Sequence, residues 1–245
     1  VYLFCWVDGG HFFFTFKSDY EISFLIQMSE DEQIILICAV PRSGSTTLQR
    51  LFHEAVPDSH FCGENAGAVN SLLEFYRQIK RTIAHPMNGF TYSELIEKDV
   101  KPSWYNVYDL NVVIEQIRSM IRGMFAHARI WGFKEIRYEN GRLAYLEEFR
   151  ELFPSLRCVL LIRENIQQQS QSGWLSARPN AIRELEQANR YFKEFHQKHT
   201  DYTYLMSFER LFRFPDLCDM FKTLLPNDPP NWEIVKHILT HNLKD

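Results

Sequence analysis

The chain has 245 residues, of which 45% are hydrophobic and 24% charged, and a net charge of -4. This is the balance of a globular domain, and it argues against a collagen-like or disordered chain and against a protein that lives on nucleic acid or an anionic membrane. No run of about 18 uncharged apolar residues occurs, so no membrane-spanning helix is expected, and the five scattered cysteines (Cys5, Cys38, Cys62, Cys158, Cys218) form no C-x-x-C pair, which points away from disulfides and zinc and towards a reducing, cytoplasmic setting.

In chain order, residues 1–27 form an aromatic-rich N-terminal extension in which Asp8-Gly9-Gly10, between two runs of β-formers, reads as a hairpin turn. Two readings stand for it: an accessory hairpin, or an extension upstream of a start at Met28. Residues 28–245 then read as one domain. Gln33 to Val40 is a continuous apolar run of buried-strand length, followed by a short polar loop and a helical pattern at Leu48, Leu51, Phe52 and Ala55. Helices are predicted at about 67–82, 109–128 and 141–152, with strands near 130–136 and 157–162. Residues 163–177 and 180–199 read as helical, 202–207 as a strand, and 214–225 and 231–242 as closing helices. Strands alternating with helices imply an α/β fold of three layers, a central parallel sheet with helices on both faces.

The loop Pro41-Arg42-Ser43-Gly44-Ser45-Thr46-Thr47 joins the buried strand to a helix N-terminus. Such a loop offers unpaired backbone N–H groups and the positive helix end to an anion, so it should bind phosphate. The ATPase pattern G-x-x-x-x-G-K-[ST] fits only in part: Gly44 and Thr46 match, but Ala39 replaces the first Gly and Ser45 the Lys. A Cys-based phosphatase loop fails as well, because Gly44 stands where its Arg would follow Cys38.

Pro41 to Leu48 resembles the loop with which sulfotransferases grip the 5′-phosphosulfate of 3′-phosphoadenosine 5′-phosphosulfate (PAPS). Three later segments agree in order. Cys158-Val-Leu-Leu-Ile-Arg163-Glu164-Asn165 resembles that family's 3′-phosphate segment, Trp131-Gly-Phe-Lys134-Glu135-Ile-Arg137 its middle G-x-K strand, and Tyr204-Leu-Met-Ser-Phe-Glu209-Arg-Leu211 its late strand end. The similarity spans about residues 34–242 and is most like the small bacterial and carbohydrate-type members. It implies a P-loop-like fold and transfer of a sulfuryl group from PAPS, without a metal, to a hydroxyl or amine of a small-molecule or carbohydrate acceptor. It also implies that Arg42, Ser43, Gly44, Ser45, Thr46, Thr47 and Arg163 hold the donor. The family's Pro two residues after the Arg is Asn165 here, and its Ser eight residues after is Gln171. Ser170 and Ser172 flank that place; both remain candidates, with Ser172 preferred.

In-line sulfuryl transfer needs cationic and N–H donors around the phosphosulfate and a base for the acceptor proton. Arg42 and the loop N–H groups suit the leaving phosphate, and Lys134 suits the sulfuryl oxygens, unless it is a surface lysine. Arg163 closes an apolar strand, which calls for an anion or a carboxylate partner such as Glu209. Glu64, in a Gly-preceded turn resembling the Gly-x-x-Glu turn of some members, is the first choice of base, ahead of His53 on the first helix. His196 with His199 and His237 with His241 have metal-ligand spacing but lack a third ligand. Trp104, Tyr105, Tyr108 and Trp174 are candidates for an acceptor pocket. Two other classes remain open: an atypical P-loop nucleotide kinase or NTPase, and a non-catalytic nucleotide-binding protein.

Overall fold

The computed structural model describes residues 3–8, 11–16, 32–84, 97, 109–138 and 142–241. Contacts divide the chain into two units, Val1–Glu32 and Gln33–Asp245. In the first, β1 (Leu3–Asp8) and β2 (His11–Phe16) pair antiparallel with Asp8 opposite His11, the register of a two-residue hairpin.

The second unit is built on five parallel strands in the order β4-β5-β3-β6-β7. These are β3 (Gln33–Ala39), β4 (Ser59–Cys62), β5 (Ile130–Glu135), β6 (Leu156–Ile162) and β7 (Thr203–Ser207). Central β3 is apolar after Gln33 because both its faces are covered. Ile34, Leu36 and Cys38 face one core, while Ile35, Ile37 and Ala39 face the other. Burial of each such Ile or Leu is worth roughly 1.5–3 kcal/mol relative to exposure. On the first face lie α2 (Ala68–Ala84), α3 (Leu110–Phe125), α4 (Tyr145–Leu152) and, beyond α5 (Ile166–Ser170), α6 (Ala181–Lys198). On the second lie α1 (Ser45–Ala55) and, after the short α7 (Phe208–Leu211), α8 (Phe214–Leu224) and α9 (Trp232–His241). This is the three-layer α/β architecture the sequence predicts.

Chain order places the break in the sheet at β3. The chain leaves β3 for β4 on one flank, returns through β5, and only then crosses to β6 and β7 on the other. Ligands of open α/β sheets bind where such an order reverses, beyond the carboxyl ends of the strands. Gly132 seats β5 against β3: a Cβ there would lie 1.8 Å from the Ile35 carbonyl oxygen.

Three details differ from the sequence reading. Edge strand β4 was not predicted; its four residues are too short and too polar to show an apolar run. The helix predicted over 163–177 is two pieces, α5 and a 3₁₀ turn at Gly173–Ala177, because Gly173 takes a positive φ of 58° between them. The helix predicted over 141–152 begins as a 3₁₀ turn at Arg142–Ala144, ahead of α4. Trp104, Tyr105 and Tyr108 lie outside the described residues. Among the described residues, no helix is long and apolar enough to cross a membrane, and Cys38, Cys62, Cys158 and Cys218 are free thiols.

Candidate active site

Parallel strands deliver all their following loops to one edge, so the loop after β3, the Glu64 turn after β4, the end of β5 and the Arg163 turn after β6 share that edge. The β3 loop turns through two left-handed residues, Arg42 at φ 61° and Gly44 at φ 81°. Gly44 has a second reason to lack a side chain, since a Cβ would lie 2.5 Å from the Phe208 ring. α1 then starts at Ser45 with Gly44 as its N-cap and no side-chain cap, leaving its first N–H groups to a ligand. Ser43 is fully buried and its hydroxyl donates to the Val40 carbonyl at 2.6 Å, so its side chain ties the loop to itself. Ser45 is also buried, Thr47 is half-buried, and Thr46 is exposed.

Arg163 is 9% exposed. Its Nη1 donates to the Arg42 carbonyl at 3.2 Å, its guanidinium lies 4.4 Å from the Phe208 ring centroid, and its Nε has no hydrogen-bond partner. The predicted carboxylate partner is otherwise engaged: Glu209 accepts the backbone N–H groups of Glu164 and Asn165 at 2.9–3.1 Å. Burial would push the Glu209 carboxyl up, but these donors, with the Arg163 charge nearby, hold it below its ordinary value. Arg163 is therefore a nearly buried cation without a carboxylate ligand among the described residues. Asn165, at the family's Pro position, caps α5 through the Gln168 N–H.

The segment after Arg163 is bonded to the β3 loop. Gln169, fully buried, donates to the Pro41 carbonyl at 2.6 Å, and Arg42 Nε donates to the Ser172 hydroxyl at 3.0 Å. Gly173 lets the turn close on Arg42, since a Cβ would lie 3.3 Å from its Nε. Of the two serine candidates, Ser172 thus meets Arg42, whereas the Ser170 hydroxyl returns to the Gln167 carbonyl of its own helix. Trp174 is half exposed on the same turn, with Arg178 over its ring at 5.1 Å.

On the other flank Lys134 is not a free surface lysine. Its side chain is 11% exposed and its Nζ lies 2.7 Å from Glu64 Oε1. The second Glu64 oxygen lies 3.2 Å from Arg137 Nη1, which also reaches the buried Glu135 at 2.7 Å. Partial burial raises the proton affinity of Glu64, but Lys134 and then Arg137 outweigh it and hold the carboxyl below its ordinary value. Glu64 is consequently ionised at neutral pH. His53, the alternative base, has its Nδ1 accepting the Phe61 N–H at 3.1 Å and its ring against His60. The other histidines serve locally: His196 meets Thr203, His199 meets Glu147, and His237 stacks on His241. Among the described residues no group of three or more His, Cys, Asp or Glu is placed to hold a metal ion.

Phe208, Gln169 and Arg137 were not singled out from the sequence as site residues. Phe208 and Arg137 lie inside the motifs quoted above, and the polar run at 167–172 is the only sign of Gln169.

The fold is a three-layer α/β architecture in which Arg42, Arg163 and Lys134 stand at one edge of the sheet beside an uncapped helix N-terminus. A family model described as the sulfotransferase family matches residues 34–215, and the chain belongs to that family. Among solved structures it is similar to the structure of Deinococcus radiodurans tunicamycin resistance protein, at 11% identity over 68% of this chain and 95% of that one, with a TM-score of 0.33. No curated protein matches the chain.

Proposed function

We propose that the protein transfers the sulfuryl group of PAPS to a hydroxyl or amine of a small-molecule or carbohydrate acceptor. The observation that carries this reading is Arg163: a nearly buried guanidinium with no carboxylate bonded to it among the described residues and an unpartnered Nε, beside a loop whose helix N-terminus is open to a second anion. Burying a charge without a counter-ion is costly unless a ligand supplies one. A donor with phosphate groups at both its 3′ and 5′ ends would supply an anion to each of these two places, and the chemistry of the residues present fits it.

In this reading the N–H groups of Gly44 to Thr47 and the Arg42 guanidinium hold the 5′-phosphosulfate, and Arg163 with Ser172 holds the 3′-phosphate. Ser170 stays a secondary candidate, since its hydroxyl is spent within α5. The donor supplies an electrophilic sulfur and a phosphate leaving group. Glu64 takes the acceptor proton as the acceptor oxygen or nitrogen bonds to sulfur. Lys134 neutralises the sulfuryl oxygens, and Arg42 with the loop N–H groups takes up the charge that grows on the departing phosphate. For a kinase or NTPase the loop lacks its phosphate-gripping Lys, Ser45 standing in that place.

Calorimetry with adenosine 3′,5′-bisphosphate and with ATP tests the donor, followed by turnover of labelled PAPS against a panel of acceptors. The bisphosphate is expected to bind and stabilise the protein, and ATP to do so far less. Equal binding of both would overturn the PAPS reading, and tight bisphosphate binding with no transfer to any acceptor would leave a nucleotide-binding protein.

A further inference from the structure

The base is held between two cations of different standing. Lys134 reaches only Glu64 Oε1, at 2.7 Å. Arg137 reaches Glu64 Oε2 and is itself fixed from behind by Glu135. Glu135 is 1% exposed and anchored by its surroundings: Oε1 accepts the N–H groups of Ile136 and Arg137, and Oε2 accepts the Gly67 N–H across from the head of α2. A carboxylate so bonded is fixed in orientation, and it ties down one end of the half-exposed Arg137 guanidinium. Lys134 is a flexible point charge with one partner, and Arg137 is a planar group with two.

We propose that Arg137 is a positioning residue that keeps the Glu64 carboxylate ionised and aimed while Lys134 leaves it for the sulfuryl oxygens of the donor. The inference rests on the reading of Glu64 and Lys134 given above. Its consequence is a base that strengthens when needed. In the free protein Glu64 is doubly paired and a poor proton acceptor. Donor binding draws Lys134 away and leaves Arg137 alone, so the proton affinity of Glu64 rises only in the complex. Among the described residues the charged groups that meet Glu64 are Lys134 from β5 and Arg137 just beyond it, with Glu135 behind Arg137. Cys62, two residues earlier on β4, is a thiol whose proton is held more tightly by burial. From α1 the nearby contact is neutral, Gln49 donating to the Phe61 carbonyl.

The test compares pH profiles, since kcat/KM for the donor reports the free enzyme and kcat the complex. In the wild type the acid limb of kcat should lie at higher pH than that of kcat/KM. Arg137→Ala should move the kcat limb further up and lower kcat by about tenfold, with adenosine 3′,5′-bisphosphate affinity unchanged, and Arg137→Lys should restore most of the rate. A purely structural Arg137 would shift the melting temperature and leave the limbs in place, which overturns the proposal. A second readout is independent of turnover: 13C titration of the Glu64 carboxyl in the unliganded protein should show a higher midpoint in both Lys134→Met and Arg137→Ala. An unmoved midpoint in Arg137→Ala refutes the pairing even if transfer from PAPS is observed. A moved midpoint in a protein that transfers no sulfuryl group upholds the pairing and defeats the functional reading alone.

Discussion

Replacing Arg163 with methionine separates a ligand-binding arginine from a structural one, because the two roles predict different effects on the free protein. Methionine keeps an unbranched stem of similar length under the Phe208 ring. The loss on the folded side is one hydrogen bond from a charged donor to the Arg42 carbonyl, worth about 1.5–3 kcal/mol, plus a cation–π contact of about 0.5–2 kcal/mol and the attraction to Glu209. The gain is relief from holding a nearly buried charge with an unpartnered Nε, a penalty of about 1–3 kcal/mol. These terms offset only in part, leaving a net loss of about 1–2 kcal/mol, so the unliganded melting temperature should fall by no more than about 8 °C. The ligand side has no such offset. A charged hydrogen bond to the 3′-phosphate is worth about 1.5–3 kcal/mol, so adenosine 3′,5′-bisphosphate should bind about 10- to 150-fold more weakly. Adenosine 5′-monophosphate, which lacks the 3′-phosphate, should bind wild type and variant alike. Scanning fluorimetry of the unliganded proteins and calorimetry with both nucleotides provide the measurements. A variant that melts far lower yet binds the bisphosphate with unchanged affinity would refute the reasoning and make Arg163 a brace for the β3 loop.

Glu64→Gln preserves size and hydrogen bonding but cannot accept a proton at neutral pH, so steady-state turnover should fall by about 10² or more with bisphosphate affinity little changed; a variant within a few fold of wild type, beside an inactive His53→Ala, would move the base to His53. Gly44→Ala forces a Cβ into the Phe208 ring at a left-handed backbone position; bisphosphate binding should be lost and stability should fall by about 1–3 kcal/mol in urea. A protein comprising residues 28–245 should keep the circular dichroism of an α/β fold and bind the bisphosphate, because the strand-loop-helix unit starts at Gln33; aggregation of that fragment would show that the aromatic extension covers apolar surface.

The parallel sheet was legible because strands buried on both faces write themselves as unbroken apolar runs, as at Ile34 to Val40 and Cys158 to Ile162. The turn from β3 into α1 was legible because a turn that must pass through positive φ and open a helix uses few residue types. β4 was not, since an edge strand of four residues depends on its neighbour β5 more than on its own pattern. The break between α5 and the turn at Gly173 was hidden for a related reason. Its cause is the positive φ of Gly173, in a turn that lies against the guanidinium of Arg42, 131 positions earlier in the numbering. Glu64 and Lys134 could each be nominated from local motifs, but the pairing of Glu64 with Lys134 and Arg137 spans some seventy residues and exists only once β4 and β5 lie side by side. Local sequence reports what a backbone needs in order to turn; it says little about which charges end up sharing a proton acceptor.

The reversal of chain order at β3 gives the two flanks separate genealogies within one molecule. Everything contributed by β4 and β5, including Glu64, Lys134, Glu135 and Arg137, is encoded between the phosphate loop and residue 137, and everything contributed by β6 and β7 is encoded after it. The longest connection in the sheet, from Cys62 to Ile130, belongs to the first flank alone. An insertion or exchange there leaves the sequence that carries Arg163 unchanged, although α2 and α3 within it pack against α4 on the way to β6. The two flanks touch through β3 and its loop, and also where Arg77 and Lys80 of α2 meet Glu148 and Glu151 and where Arg129 meets Asp228, so a chimaera of two such proteins would have to be matched at those pairs as well.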